Sequence, residues 1–222
     1  MEPDYDSMIL SLYKSVLVED DIVIDVGANV GRHTLEMSLL VGDKGRVLSF
    51  EPLESAFKSL CELVLNNNKQ GVVSTYNVAL GDVNGVRSFV SVKDFPEYSG
   101  FKERMYHCLD VRKEVINIPV RALDSYLTEI DRCKLIKFDC EGGELLAMKG
   151  AWHLISKFKP VIVFELGDNS LLNYPYTAYD YFHFLDELGY VIKSITGETI
   201  TKESIVKSSR EQEFWDYVAC AK

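Results

Sequence analysis

Two stretches of this chain combine residue types that hold cofactors and move protons. The first is Ile22-Val23-Ile24-Asp25-Val26-Gly27-Ala28-Asn29-Val30-Gly31. An apolar, β-rich run that stops at Gly27 reads as a strand end, because glycine relieves the steric limit on the turn that follows. Helical spacing takes over at Arg32-His33-Thr34-Leu35-Glu36-Met37. Such a strand–turn–helix unit is a cradle for a nucleotide-like cofactor, with the free amides of the helix start facing the ligand. The second stretch is Asp139-Cys140-Glu141-Gly142-Gly143-Glu144, at the carboxyl end of a later strand. Ligands of an open α/β sheet bind at that edge. Asp139 and Glu141 are the candidate catalytic pair: either carboxylate could orient an acceptor, take its proton or hold a cofactor amine. Two positions apart, they point the same way while the chain stays extended. Glu144 is read as favouring the start of the next helix, where negative charge meets the positive dipole end.

The turn narrows the cofactor. A dinucleotide cradle wants G-x-G-x-x-G, whose second glycine lets the backbone approach a pyrophosphate. Here Asn29 holds that position. S-adenosylmethionine has no phosphate, and its amino-acid end needs groups for a carboxylate and an amine. Asp25 and the backbone of the turn, Ala28 included, can supply them, and the Asn29 amide offers both a donor and an acceptor. Glu51 lies 20 positions beyond Gly31, at the end of a second strand stopped by Pro52. A carboxylate there accepts ribose hydroxyls in either cofactor class, so it does not discriminate.

Strand and helix patterns alternate through most of the chain, as in a parallel sheet with helices on both faces. The spacing predicts helices over 8–17, 32–41, 55–66, 144–158 and 177–188, with a helical turn at 123–127. It predicts strands over 22–26, 46–52, 72–78, 134–139, 160–166, 190–195 and 215–221. The alternation lapses between Leu80 and Val120. Short β-like pieces there flank a polar insert with Phe95, Tyr98, Tyr106 and His107, read as a lid or binding loop. The loop joining the last two strands is read as too short for a crossover helix, so the two should pair antiparallel. One domain over 1–222 is expected, with an N-terminal helix within 1–20 and the insert at 81–120. The fold class is α/β, a Rossmann-like seven-stranded, mostly parallel sheet with an antiparallel last strand. That closing strand pair is the methyltransferase variant of the doubly wound fold.

The chain resembles the FkbM family of S-adenosylmethionine-dependent methyltransferases. The resemblance rests on Asp25-Val26-Gly27-Ala28-Asn29-Val30-Gly31 with Thr34, Phe50-Glu51-Pro52 and Asn77-Val78-Ala79-Leu80-Gly81-Asp82. It continues through Val120-Arg121-Ala122-Leu123-Asp124, Leu135-Ile136-Lys137-Phe138-Asp139-Cys140-Glu141-Gly142-Gly143-Glu144, Lys149-Gly150 and Pro160-Val161-Ile162-Val163-Phe164-Glu165. It implies that Gly27, Asn29, Gly31 and Thr34 line the methionine end, Glu51 the ribose, and Ala79 and Leu80 the adenine. It also implies methyl transfer to a hydroxyl oxygen of a small molecule, a sugar or other natural product. A non-catalytic cofactor-binding module and a nicotinamide-dependent oxidoreductase are the alternatives.

Further candidates are single residues. His107 is a second candidate base, since free imidazole titrates near neutrality. His33 follows the turn and is placed on the pocket wall; His153 and His183 are read as surface or packing residues, and Trp152 and Trp215 as core. Glu165 ends the fifth major strand, and with Asp139, Asp168 and Asn169 it could hold a divalent cation, though metal dependence is not favoured. Tyr174-Pro175-Tyr176 is either an aromatic wall for a sugar or a packed loop.

Composition bounds the partners. With 34 acidic and 24 basic residues in 222, the net charge is −10, which argues against an electrostatic nucleic-acid partner. Five cysteines without metal-ligand spacing read as reduced thiols. The acidic start lacks a signal-peptide pattern, and no apolar run reaches membrane-spanning length, so a cytoplasmic protein is expected.

Overall fold

Ile22–Val26 is buried at every position, as a strand inside a parallel sheet must be. A computed structural model describes residues 4–106 and 110–222. In chain order the elements are α1 (Tyr5–Val16), β1 (Ile22–Val26), α2 (Arg32–Val41), β2 (Arg46–Phe50), α3 (Glu54–Asn66), β3 (Val73–Tyr76), β4 (Ala79–Leu80), β5 (Gly85–Val92) and β6 (Lys113–Arg121). There follow β7 (Leu135–Phe138), α4 (Glu144–Lys149), α5 (Trp152–Phe158), β8 (Val161–Glu165), α6 (Asp168–Leu171), α7 (Ala178–Glu187), β9 (Tyr190–Ser194), α8 (Lys202–Glu211) and β10 (Asp216–Ala221).

The main sheet runs β3-β2-β1-β7-β8-β10-β9. β10 is antiparallel to both β8 and β9, and the other pairings are parallel. This is the seven-stranded α/β arrangement expected from the sequence. Strand order reverses between β1 and β7, which opens a crevice at their carboxyl ends.

Register then sets the site. Val26 pairs with Phe50 and Phe138, and Phe138 with Phe164. The next residue on each strand therefore emerges at one edge: Gly27, Glu51, Asp139 and, on the last residue of β8, Glu165. The pleat divides the strands between two faces. Ile24, Val26, Leu48, Phe50, Ile136, Phe138, Ile162 and Phe164 join the core under α4, α5 and α7. Val23, Val47, Leu135 and Val163 pack with α1, α2 and α3. Asp25, Ser49 and Lys137 share that second face and form a polar row in an apolar layer.

Three expectations change. The 81–120 stretch is largely ordered: β5 and β6 form a long antiparallel pair, extended by β4 into a second, three-stranded sheet. Phe89, Ile118 and Val120 seat it on Leu53 and Ala56 at the start of α3, over the carboxyl edge of the main sheet. The single helix expected over 144–158 is two, broken at Gly150. Gly150 lies so near the backbone of Gly81 that an added Cβ would sit 1.9 Å from its carbonyl oxygen. The link between β9 and β10 does hold a helix, α8, capped by Thr201, whose hydroxyl accepts from the Ser204 N–H. Antiparallel pairing there comes from the insertion of β10 between β8 and β9, not from a short loop.

Among the described residues no helix is long and apolar enough to cross a membrane. Cys61, Cys133, Cys140 and Cys220 are free thiols.

Candidate active site

The crevice at the switch point holds two adjoining cavities. The first is bounded by Phe50, Glu51, Pro52, Leu53, Val78, Ala79, Leu80, Phe89, Phe101 and Cys140. The second is polar, bounded by Tyr98, Arg104, Glu141, Glu165 and Trp215. Gly27, Asn29, Glu97 and Asp139 belong to both, so they form the boundary.

The turn is shaped by close backbone approach. Gly27 has φ +80°, and a Cβ there would lie 1.7 Å from the Asp139 carbonyl oxygen. Asn29 takes a left-handed φ of 48°, which asparagine tolerates better than most residues. Its N–H donates to Glu51 Oε2 at 2.8 Å, while the Leu53 N–H donates to Oε1 at 2.8 Å. The carboxylate thus clamps the turn to the start of α3, and each oxygen keeps a lone pair for a ligand. Burial pushes Glu51 up to about 7, against those two N–H groups.

Several residues expected at the cofactor stand behind it. Asp25 Oδ2 accepts from Thr34 Oγ1 at 2.6 Å, and Thr34 meets Ser49 Oγ at 2.9 Å. All three are buried, and none bounds either cavity. Ala28 packs with the core under α2. Gly31, at φ +93°, faces α3: a Cβ there would lie 2.6 Å from Leu60 Cδ1 and 2.9 Å from Leu63 Cδ2. Asp25, Ala28, Gly31 and Thr34 therefore shape the cradle rather than line it. Gly27, Asn29, Glu51, Pro52, Ala79 and Leu80 do line it.

The acidic stretch turns sharply after β7, with Glu141 at φ 53° and Gly142 at φ 91°. Asp139 and Glu141 still reach one space, because the turn brings Glu141 back over the strand end. Asp139, Glu141 and Glu165 each place a carboxylate oxygen within 4.8 Å of the others. Two cations balance them. Lys137 Nζ donates to Asp139 Oδ2 at 2.5 Å, and Arg104 Nη1 donates to Glu141 Oε2. Burial opposes charge on Asp139, yet the Lys137 ammonium and the carboxyl of Glu165 hold it below the ordinary carboxylate range. Burial and the neighbouring carboxylates push Glu165 well above that range. The contact between them thus favours the ionised form of Asp139 and the protonated form of Glu165.

Glu144 folds back instead of merely facing the helix dipole. Its Oε1 accepts from the Cys140 and Gly142 N–H groups at 2.7 and 3.2 Å, and its Oε2 from the Tyr181 hydroxyl at 3.1 Å. Burial pushes it up to about 7. Tyr176 donates to the Gly142 carbonyl at 2.7 Å and packs with Tyr174 against the core, so the loop braces the acidic turn, and neither ring bounds the two cavities of the crevice. Asp168 is tied to Ser209 Oγ at 2.6 Å and lies outside the acidic trio. His33 sits off both cavities, its Nδ1 3.2 Å from the Tyr13 hydroxyl, and burial with Lys137 and Arg32 nearby pushes it down to about 3. His153 and His183 are exposed. His107 lies outside the described residues. Trp215, expected in the core, bounds the polar cavity instead.

Tyr98 belongs to the insert read as a lid or binding loop, whereas Arg104 and Phe101 carry no signal of their own, because a polar insert has no spacing pattern. Lys137 did carry one: a lysine amid Leu135, Ile136 and Phe138 has to find a buried partner.

The first cavity fits an adenosyl group: apolar walls, a carboxylate with free lone pairs and a glycine turn that no side chain could replace. Residues 25–192 match the model of the methyltransferase FkbM domain. A crystal structure of methyltransferase FkbM from Methylobacillus flagellatus KT aligns at TM-score 0.57 and 17% identity, covering 94% of this chain and 47% of that one. A protein of Saccharolobus solfataricus described as "Probable cobalt-precorrin-6B C(15)-methyltransferase (decarboxylating)" is 30% identical over 122 residues, 54% of this chain and 60% of the relative. The chain thus spans about half to three fifths of these two relatives. An rRNA methylase from Streptococcus thermophilus shares the fold at TM-score 0.56 and 11% identity, covering 100% of this chain and 99% of that one. The expectation that net charge excludes a nucleic-acid partner is therefore withdrawn: a protein of that name has this architecture, and whole-chain charge does not decide what one cleft admits. Motif, sheet order and family match agree: the chain belongs to the FkbM methyltransferase domain family, and S-adenosylmethionine is its cofactor.

Proposed function

We propose that this protein transfers a methyl group from S-adenosylmethionine to a hydroxyl oxygen of a small molecule, a sugar or other natural product. One observation carries the reading: an apolar cavity suited to an adenosyl group and a polar cavity rich in hydrogen-bond acceptors meet at Asp139. The bound cofactor supplies a methyl group on a sulfonium leaving group. Glu51 accepts the ribose hydroxyls, while Ala79 and Leu80 lie along the adenine. Asn29 and the backbone at Gly27 hold the amino-acid end. Asp25 and Thr34 brace that turn from beneath.

In the polar cavity Asp139 accepts a hydrogen bond from the acceptor hydroxyl and aligns its lone pair. A carboxylate of low pKa suffices as base, because the attacking oxygen sheds its proton only as it gains positive charge. Most of the acceleration then comes from proximity and alignment. Glu141, held by Arg104, shapes the far wall. Lys137 and Arg104 already balance the acidic trio, which supports a reaction without a divalent metal.

The test is transfer of labelled methyl to pooled glycans and hydroxylated small molecules. Label in a base-stable methyl ether supports the reading. Label only on carbon or in RNA, or tight cofactor binding with no transfer at all, overturns it.

A further inference from the structure

Lys137 is a charged residue buried away from the surface. It sits in the middle of the main sheet, on the face covered by α1, α2 and α3, and its side chain is 3% exposed. A buried ammonium needs a partner that repays its desolvation. Directly across the strand pair stands Asp25, the neighbour that register offers. Yet Asp25 Oδ2 is taken by Thr34, and its Oδ1 has no hydrogen-bond partner. The lysine instead runs along the strand to the sheet edge and donates to Asp139 Oδ2. Asp139, with its side chain 36% exposed, is the carboxylate that faces both cavities. Lys137 bounds neither cavity, so anything it does for catalysis passes through Asp139.

We infer that Lys137 is a positioning residue: from beneath the sheet edge it fixes the Asp139 carboxylate where the two cavities meet. Without it, Asp139 keeps its contact with Glu165 but loses the anchor on Oδ2, so the carboxylate is free to turn. The inference rests on the role proposed above for Asp139.

The experiment is a double-mutant cycle between Lys137→Met and Asp139→Asn, with cofactor-product affinity measured in parallel. Lys137→Met keeps the length and removes the charge. We expect kcat to fall at least about tenfold while KM and cofactor-product affinity stay within about threefold, the signature of lost transition-state alignment. In the Asp139→Asn background the same change should cost nothing further, since residues that act through one group are not additive. Additive losses, or a loss matched in cofactor affinity, overturn the inference. A crystal structure of Lys137→Met reads the carboxylate directly: Asp139 unmoved overturns it, and Asp139 displaced supports it. Should Lys137→Met fail to fold, Lys137→Arg replaces it; retained turnover supports the inference and a tenfold loss with Asp139 in place overturns it. If the wild type methylates no hydroxyl, the functional reading falls, while the crystal structure still judges the lysine.

Discussion

Arg104, from the segment between β5 and β6, closes a buried ion pair with Glu141 of the main sheet's edge, and its guanidinium stacks 4.6 Å from the Tyr98 ring centroid. The inserted sheet is thereby latched to the acidic stretch across the polar cavity.

Arg104→Ala should release that latch. Glu141, whose carboxyl burial already pushes above the usual range, loses the charge that opposes the push. We expect acceptor KM to rise at least about tenfold, with cofactor-product affinity changed less than threefold. Equal losses in the two would show that the latch serves the cofactor cavity instead.

Glu51 yields a pH prediction of definite sign. Its folded-state pKa, about 7, lies above the value of a free glutamate, so the folded state holds the proton more tightly. The resulting stabilisation is complete below the unfolded pKa and is lost as pH rises through about 7. Glu144 and Asp216, also raised to about 7 by burial, act in the same direction. The melting temperature of the cofactor-free protein should therefore fall between about pH 5.5 and 8, and fall less in Glu51→Gln. Ribose hydroxyls favour the ionised carboxylate, so cofactor-product affinity should rise over the same interval. Glu51→Ala should weaken it by the ~1.5–3 kcal/mol of hydrogen bonds to a charged group. Calorimetry at two pH values checks both.

The two turn glycines should fail differently. Gly27→Ala forces a Cβ into the Asp139 carbonyl and should abolish the fold of the crevice. Gly31→Val runs into Leu60 and Leu63 on α3. Its first effect should be a lower melting temperature, not an occluded cofactor cavity. A folded Gly31→Val of unchanged stability would contradict the packing described.

Asp139→Asn keeps shape and removes charge. Turnover should drop about 10²-fold or more, the range of general base catalysis. Cofactor-product affinity should change far less; equal loss in both would assign Asp139 to the cofactor amine.

Strand positions were legible because Ile22–Val26 and Val161–Glu165 are nearly continuous apolar runs between breakers, the pattern of strands covered on both faces. Glu51 and Asp139 could be read from strand ends, since register and connection rules bring those ends together. Asp25 and Thr34, read as cofactor residues, bound neither cavity, because a motif records which residues occur together and not which way each one faces. Thr34 serves Asp25, and only the pleat reveals it. Arg104 and Trp215 reach the site from distant segments, and no local pattern announces a side chain that arrives through tertiary packing. The break at Gly150 escaped for the same reason, since its cause is the backbone of Gly81.

β9 hydrogen-bonds to the main sheet only through β10, and β10 carries Asp216 opposite Glu165. The sheet consequently cannot be completed in the order in which its strands are synthesised: β9 must wait for β10 to slot in beside β8. Trp215, immediately before β10, arrives in the same event. Until that late closure the polar cavity lacks the wall that Trp215 gives it, whereas Gly27, Glu51 and Leu80, which bound the other cavity, lie on or beside strands made much earlier.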